Sequence, residues 1–363
     1  MVHAARYDPG MRNERSTIRG KRFAVGLATA LMLGCLPPNL AAQAAAPRFI
    51  FNASETAVRN RARPTETMLM QIAGIDALFS EIRSRSPRAE LYLVINGGTS
   101  SQRWWGSTLL AGDNAALWKP LQEKYGVRYL WRMNLNQTDE AERDLLRQIE
   151  RHIDIYMVIF GAEPYLLKHL KPRSDGSWPD EVGALQRGIT GDSYMERATR
   201  CVELFGRERR YGFMLAPERQ GSDTAFGKRA EEWNAALIPA LRSLAERGVA
   251  AHACVHIYRR GAYWDVAAFL RRTQLALGDI PIWITESGAA SDGENDLPTA
   301  DSPELIAAEL ELYRDMCSAL RPIDVIGSHS AWKPPHGNLA QAWHDGGSLT
   351  PRGRALVEAA FGE

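Results

Sequence analysis

The stretch Pro281-Ile-Trp-Ile-Thr-Glu-Ser-Gly288 carries the reading of the fold. Ile282 to Thr285 are apolar or β-branched and read as a short buried strand. The strand ends on Glu286, and Ser287-Gly288 turn the chain away. A carboxylate in that position has its backbone fixed by the sheet while its side chain faces a cleft. The plain alternative is a strand-end Glu turned to water, and the flanking segments decide between the two.

Outward from this strand the same pattern recurs. Apolar or β-branched runs at residues 48–52, 90–96, 127–134, 153–160, 211–216, 252–258 and 323–328 read as seven further strands. Helical patterns separate them. Pro64 opens a helix whose face is Met68, Ile72, Ile75, Phe79 and Ile82, in steps of three and four. A short helix over 115–124 is stopped by Gly126, and Thr138 caps a charged helix carrying Leu145, Leu146 and Ile149. Further helices are predicted over 194–205, over 228–247 with Gly248 as its stop, between strands six and seven, from Ser302-Pro303, and after Thr350-Pro351. Lys171 to Ser193 is polar, rich in Gly, Asp and Ser, and reads as a long loop; loops of this length in compact domains are usually functional or disordered.

Eight strands alternating with helices, without repeats or a linker, predict a closed (β/α)8 TIM barrel in the α/β class. A doubly wound open sheet would want a Gly-rich phosphate turn after its first strand. Here that strand runs into Asn52-Ala-Ser-Glu55. In a barrel, catalytic residues sit at the C-terminal ends of strands, which is where Glu286 stands.

The N-terminus reads as a separate element. Arg19, Lys21 and Arg22 precede an apolar run from Phe23 to Leu36, and Ala42-Gln43-Ala44 supplies a small-residue cleavage site. This is the pattern of a secretory signal peptide over residues 1–44, with one catalytic domain over 45–363 and a periplasmic or secreted product. Cys35 after Gly34 is a weak lipidation candidate, with Met32 and Leu33 poor neighbours for it. The apolar run is shorter than the ~20 residues a span needs, so no stable membrane insertion is expected. Of 44 basic and 43 acidic residues, cleavage removes six and two, leaving a net charge of about −3. That balance gives no footprint for nucleic acid or for an anionic membrane. Cys201, Cys254 and Cys317 remain; Cys254 reads as a buried small hydrophobe, and Cys201 and Cys317 are disulfide candidates in an exported chain. No spacing suits zinc, and no metal or cofactor is expected.

Four strand ends now line up: Ala162-Glu163-Pro164 after strand four, His256-Ile257-Tyr258 on strand six, Glu286 on strand seven, and Trp332 after strand eight. In order and placement this resembles the clan A glycoside hydrolases, retaining enzymes on a (β/α)8 barrel. The closing segment 346–353 resembles the lead into their last helix. The resemblance covers the chain from about Arg48. It implies Glu286 as nucleophile and Glu163 as acid/base. It also implies His256, Tyr258 and Trp332 as carbohydrate-contacting residues, with Tyr258 placed to donate a hydrogen bond to Glu286; beside the resemblance, Trp104 is a candidate for stacking on a sugar ring and Asn134 a candidate for contacting a sugar hydroxyl. Retaining hydrolysis needs two carboxyl groups about 5 Å apart, one to attack the anomeric carbon and one to protonate the leaving oxygen. Glu218, which also ends a strand beside a proline, is the competing acid. With Glu218 on strand four the count of strands would fall short; with Glu163 there it closes at eight.

One position departs from the family. The Asn that normally precedes the acid/base is Ala162, which cannot hydrogen-bond a sugar hydroxyl. Asn96, Asn134 and Asn136 sit on other strand ends as substitutes. Two readings of function therefore stand: a secreted retaining glycoside hydrolase of an oligo- or polysaccharide, and a non-catalytic carbohydrate-binding barrel accessory to exopolysaccharide metabolism.

Overall fold

A computed structural model describes residues 48–53, 64–96, 112–133, 135, 138–161, 164–165, 189–217, 225–258, 265–288, 303–320, 326–328, 330–332, 342–344 and 349–361. Strands β1 (Arg48–Asn52), β2 (Glu90–Asn96), β3 (Arg128–Met133), β4 (Ile155–Phe160), β5 (Arg210–Leu215), β6 (Ala250–Tyr258), β7 (Ile282–Gly288) and β8 (Ile326–Ser328) form one sheet in the order β7-β6-β5-β4-β3-β2-β1-β8. Every ladder is parallel. β8 pairs with β1 and also runs close beside β7, so the sheet returns on itself. A monotone strand order with both ends meeting is a barrel, and the expected TIM-type architecture is found. Residues Ala46–Glu363 make one compact unit.

Helices α1 (Pro64–Arg85), α2 (Lys119–Tyr125), α3 (Asp139–Ile149), α4 (Gly191–Phe205), α5 (Ala225–Glu246), α6 (Val266–Leu277), α7 (Pro303–Ala319) and α8 (Pro351–Phe361) alternate with the strands. Local chemistry sets their ends. The Thr138 hydroxyl accepts from the Ala141 amide at 3.2 Å, and Asp139, Glu140 and Glu142 load the first turn of α3 with the charge its dipole favours. The apolar part of its buried face is Leu145, Leu146 and Ile149, each contributing about 1.5–3 kcal/mol on burial, with Glu142 buried beside them. Gly126 ends α2 at φ 64°, a conformation that disfavours any residue with a Cβ.

Several boundaries differ from expectation. α4 begins at Gly191, because Thr190 and Ser193 form a reciprocal capping box, so the last residues of the anticipated Lys171–Ser193 loop are helical. Strand four begins at Ile155, because the amides of His152 and Ile153 bond back to Ile149 and continue the turn of α3. Trp332 lies on a separate short strand, β9 (Ser330–Trp332), which pairs with β10 (Ala342–His344). Cys201, Cys254 and Cys317 are all free thiols, so the candidate Cys201–Cys317 bridge is not formed.

The barrel interior is filled in layers. Tyr92, Tyr156 and Trp283 meet near its floor, with ring centroids 5.1–6.1 Å apart. Above them Gly212 gives Cys254 its space: a Cβ there would lie 2.6 Å from the Cys254 sulfur. Polar groups occupy the C-terminal mouth, where Asn52, Arg132, His256 and Glu286 are all buried.

Candidate functional site

The mouth is organised by an irregularity in β7. On β6, Cys254, Val255 and His256 pair in turn with Trp283, Ile284 and Glu286. Thr285 is thus an extra residue, a β-bulge, and such bulges re-aim the side chains that follow them. Side chains alternate along a regular strand, so Trp283 and Glu286 should face opposite ways. The bulge reverses the phase and turns Glu286 into the barrel. The bulged backbone is secured from across the barrel: Asn52 Nδ2 donates to the Thr285 carbonyl at 2.8 Å.

Glu286 is 8 % exposed and held on both oxygens. Arg132 Nη1 on β3 donates to Oε1. Tyr258 Oη donates to Oε2 at 2.6 Å, the bond anticipated from the sequence. His256 Nδ1 lies 3.2 Å from Oε2, and its Nε2 lies 3.2 Å from Arg132 Nη2. A guanidinium only donates, so Nε2 accepts in its contact with Arg132. Arg132 Nη2 is also 3.5 Å from Asn52 Oδ1. Arg132 brings positive charge and Tyr258 a donor to Glu286, and both contacts favour a carboxylate over a carboxylic acid there. A carboxylate so oriented, with its backbone fixed by a bulge, is equipped to act as a nucleophile or to stabilise a developing cation.

The sequence singled out Glu286, His256 and Tyr258, and the fold brings them together. Reading segments one by one missed Arg132 and Asn52. The signal was present: Arg132 is a charged residue near the end of an otherwise buried strand, and Asn52 ends another. Glu163, Ala162, Trp104, Asn134, Asn136 and Glu218 lie outside the described residues, as do the Asn96 and Trp332 side chains.

Gly161, just after β4, has φ 78°, and a Cβ there would lie 2.6 Å from Leu135 Cδ1, so this position needs glycine. Tyr165 is 1 % exposed and its ring packs on Trp233 at 6.1 Å. Arg229 of α5 donates to the Tyr165 carbonyl at 2.9 Å and to the Ile189 carbonyl at 3.0 Å, tying together the two chain ends that flank residues 166–188. Burial lowers the pKa of this guanidinium.

Among the described residues no cluster of His, Cys, Asp and Glu could hold a metal ion, and no helix is long and apolar enough to cross a membrane. No protein-family model matches the chain, and no curated protein is similar to it in sequence. Solved structures resemble it in fold. One is a GH128 (subgroup II) endo-β-1,3-glucanase from Pseudomonas viridiflava, 17 % identical, covering 86 % of this chain and 96 % of that one at a TM-score of 0.46. Another is the GH53 catalytic domain of Ignisphaera aggregans, 16 % identical, covering 88 % and 97 % at 0.49. A third is an orotidine 5′-phosphate decarboxylase from Pyrococcus horikoshii OT3, 11 % identical, covering 87 % and 99 % at 0.38.

Proposed function

We propose that the chain is an exported retaining glycoside hydrolase of an oligo- or polysaccharide. The observation that supports this most is the setting of Glu286: a buried carboxylate at the C-terminal end of a barrel strand, aimed inward by a bulge and oriented by Arg132 and Tyr258. In this reading Glu286 attacks the anomeric carbon while Glu163 protonates the departing glycosidic oxygen. A glycosyl ester forms on Glu286. Glu163, now ionised, takes a proton from water, and the resulting attack releases the sugar and restores both groups. Arg132 and Tyr258 keep Glu286 charged and hold it still. Trp332 and Trp104 supply faces on which sugar rings stack.

The second reading, a non-catalytic carbohydrate-binding barrel, draws on one residue. Ala162 stands where the resemblance calls for an Asn. A hydroxyl contact that tightens in the transition state is worth several kcal/mol, and Ala162 cannot provide it.

A fluoro-sugar inactivator of matching configuration separates the two readings. A catalyst forms a stable covalent adduct, and peptide mapping places it on Glu286. Binding without any adduct supports the second reading, and an adduct on another carboxylate overturns the role given to Glu286.

A further inference from the structure

The floor of the barrel, at the opposite strand ends from Glu286, carries a second bulge. Tyr129 of β3 pairs with Ile155, but Leu130 pairs with Met157, so Tyr156 is the extra residue. The slip turns the Tyr156 ring inward against Tyr92 and Trp283, although the adjacent Met157 also faces the interior beside Gly212. Two guanidinium groups then sit over the Tyr156 ring, Arg128 at 5.0 Å and Arg210 at 4.5 Å from its centroid.

The two cations are not equivalent. Arg128 is committed: Nη1 donates to Glu90 Oε2 at 3.0 Å and to Tyr92 Oη at 2.6 Å. Arg209, the next cation along, is forked onto Glu150. Arg210 is exposed, and among the described residues its guanidinium has the Tyr156 ring and no carboxylate. A cavity of about 490 Å³ opens here, lined by Arg128, Tyr156, Arg209 and Arg210 together with Asp154 and Glu208. An exposed cation–π contact on its own adds little to stability. That is little return for a bulge that also breaks the ladder, whereas a bulge that aims a ring to hold a guanidinium open to a cavity is what a binding site requires.

We propose that this floor cavity is an oxyanion-binding site, with the Arg210 guanidinium as the receiving group and Tyr156 as the plate that holds it. A planar fork of N–H donors matches the two oxygens of a carboxylate or phosphate. Asp154 and Glu208 work against an extended polyanion, so the ligand presents one such group: the carboxylate of an acidic sugar or an inorganic phosphate. The site is independent of the hydrolase reading. It also has a built-in reporter. His252 packs edge-on to Trp283 at 5.6 Å, and burial, followed by the charge of Arg210, pushes its pKa down to about 4. An anion seated on Arg210 offsets that charge and lets His252 take up its proton at higher pH.

The test titrates the native full chain with inorganic phosphate and, separately, with glucuronate at constant ionic strength, by calorimetry and by NMR of the His252 ring. Saturable binding of either, with an upward move of the His252 titration, is expected. Phosphate alone assigns the phosphate source, glucuronate alone the acidic sugar, and both assign the shared oxyanion chemistry. Arg210→Ala and Arg210→Gln should each weaken binding roughly tenfold or more, since each removes a charged donor pair. Because Arg210 is exposed, circular dichroism should show both variants folded; if one is not, the other carries the comparison. No saturable binding to the native chain, or an affinity unchanged in a folded variant, overturns the proposal.

Discussion

Trp283 and Glu286 stand three residues apart on one strand, and both side chains face the barrel interior. A regular strand forbids this; the bulge at Thr285 permits it. A bulge disrupts the regular ladder locally, and Asn52 donates to the Thr285 carbonyl at this bulge from across the barrel.

Asn52→Ala should therefore loosen the bulge. A buried acceptor left without its donor costs about 1–3 kcal/mol. A urea melt should show a loss of this size with an unchanged slope. Asn52→Asp should be worse, because it offers an acceptor to an acceptor. Equal stability of Asn52→Ala and the native chain would mean that the Asn52 bond does not support the bulge.

Arg132 and Glu286 make a buried ion pair, and removing one member leaves the other charged and desolvated. Arg132→Met should destabilise by about 3–5 kcal/mol. Arg132→Met with Glu286→Gln removes both charges and should recover most of that loss. Additive losses across this double-mutant cycle would contradict the pairing.

Tyr258→Phe removes one donor from Glu286 and leaves the ring in place. Stability should fall by about 1 kcal/mol. On the hydrolase reading, kcat should fall more than KM rises, because the bond orients a reacting group. A pure KM effect would make Tyr258 a substrate contact instead.

Glu163 and Glu218 compete for the acid/base role. Glu163→Ala should slow substrates with poor leaving groups far more than activated aryl glycosides, since only the former need a proton to depart. Azide should restore turnover and yield a glycosyl azide. The same pattern in Glu218→Ala, and not in Glu163→Ala, would reverse the assignment.

His252 sets a pH dependence. Its folded pKa of about 4 lies below its ordinary value of 6.5. Between these values the unfolded chain binds a proton that the folded chain does not, so stability is full above about 6.5 and falls as pH drops toward 4. The loss reaches up to about 3 kcal/mol. Denaturant melts of His252→Phe should be flatter than those of the native chain across this window; parallel curves would place the proton elsewhere.

The sequence by itself determined the barrel. Periods of two and near 3.6, the Thr138 cap and the Gly126 stop are local signals, carried within a dozen residues, and they placed strands and helices correctly. It also marked Glu286, His256 and Tyr258, because each ends or borders a strand whose apolar run is plain to read. Boundaries slipped where a polar side chain did the capping, as at Thr190, because that box lies inside a run that reads as loop. The tertiary structure alone decided how the mouth is wired. Arg132 meets Glu286 across 154 residues, and Asn52 meets Thr285 across 233. Neither bulge, at Tyr156 or at Thr285, is visible in hydrophobic periodicity, since an extra residue is extra only relative to the neighbouring strand. Ladder register is a property of two strands at once, and barrel closure brings distant strand ends to one point, so the partners of Glu286 are fixed only when the sheet has closed.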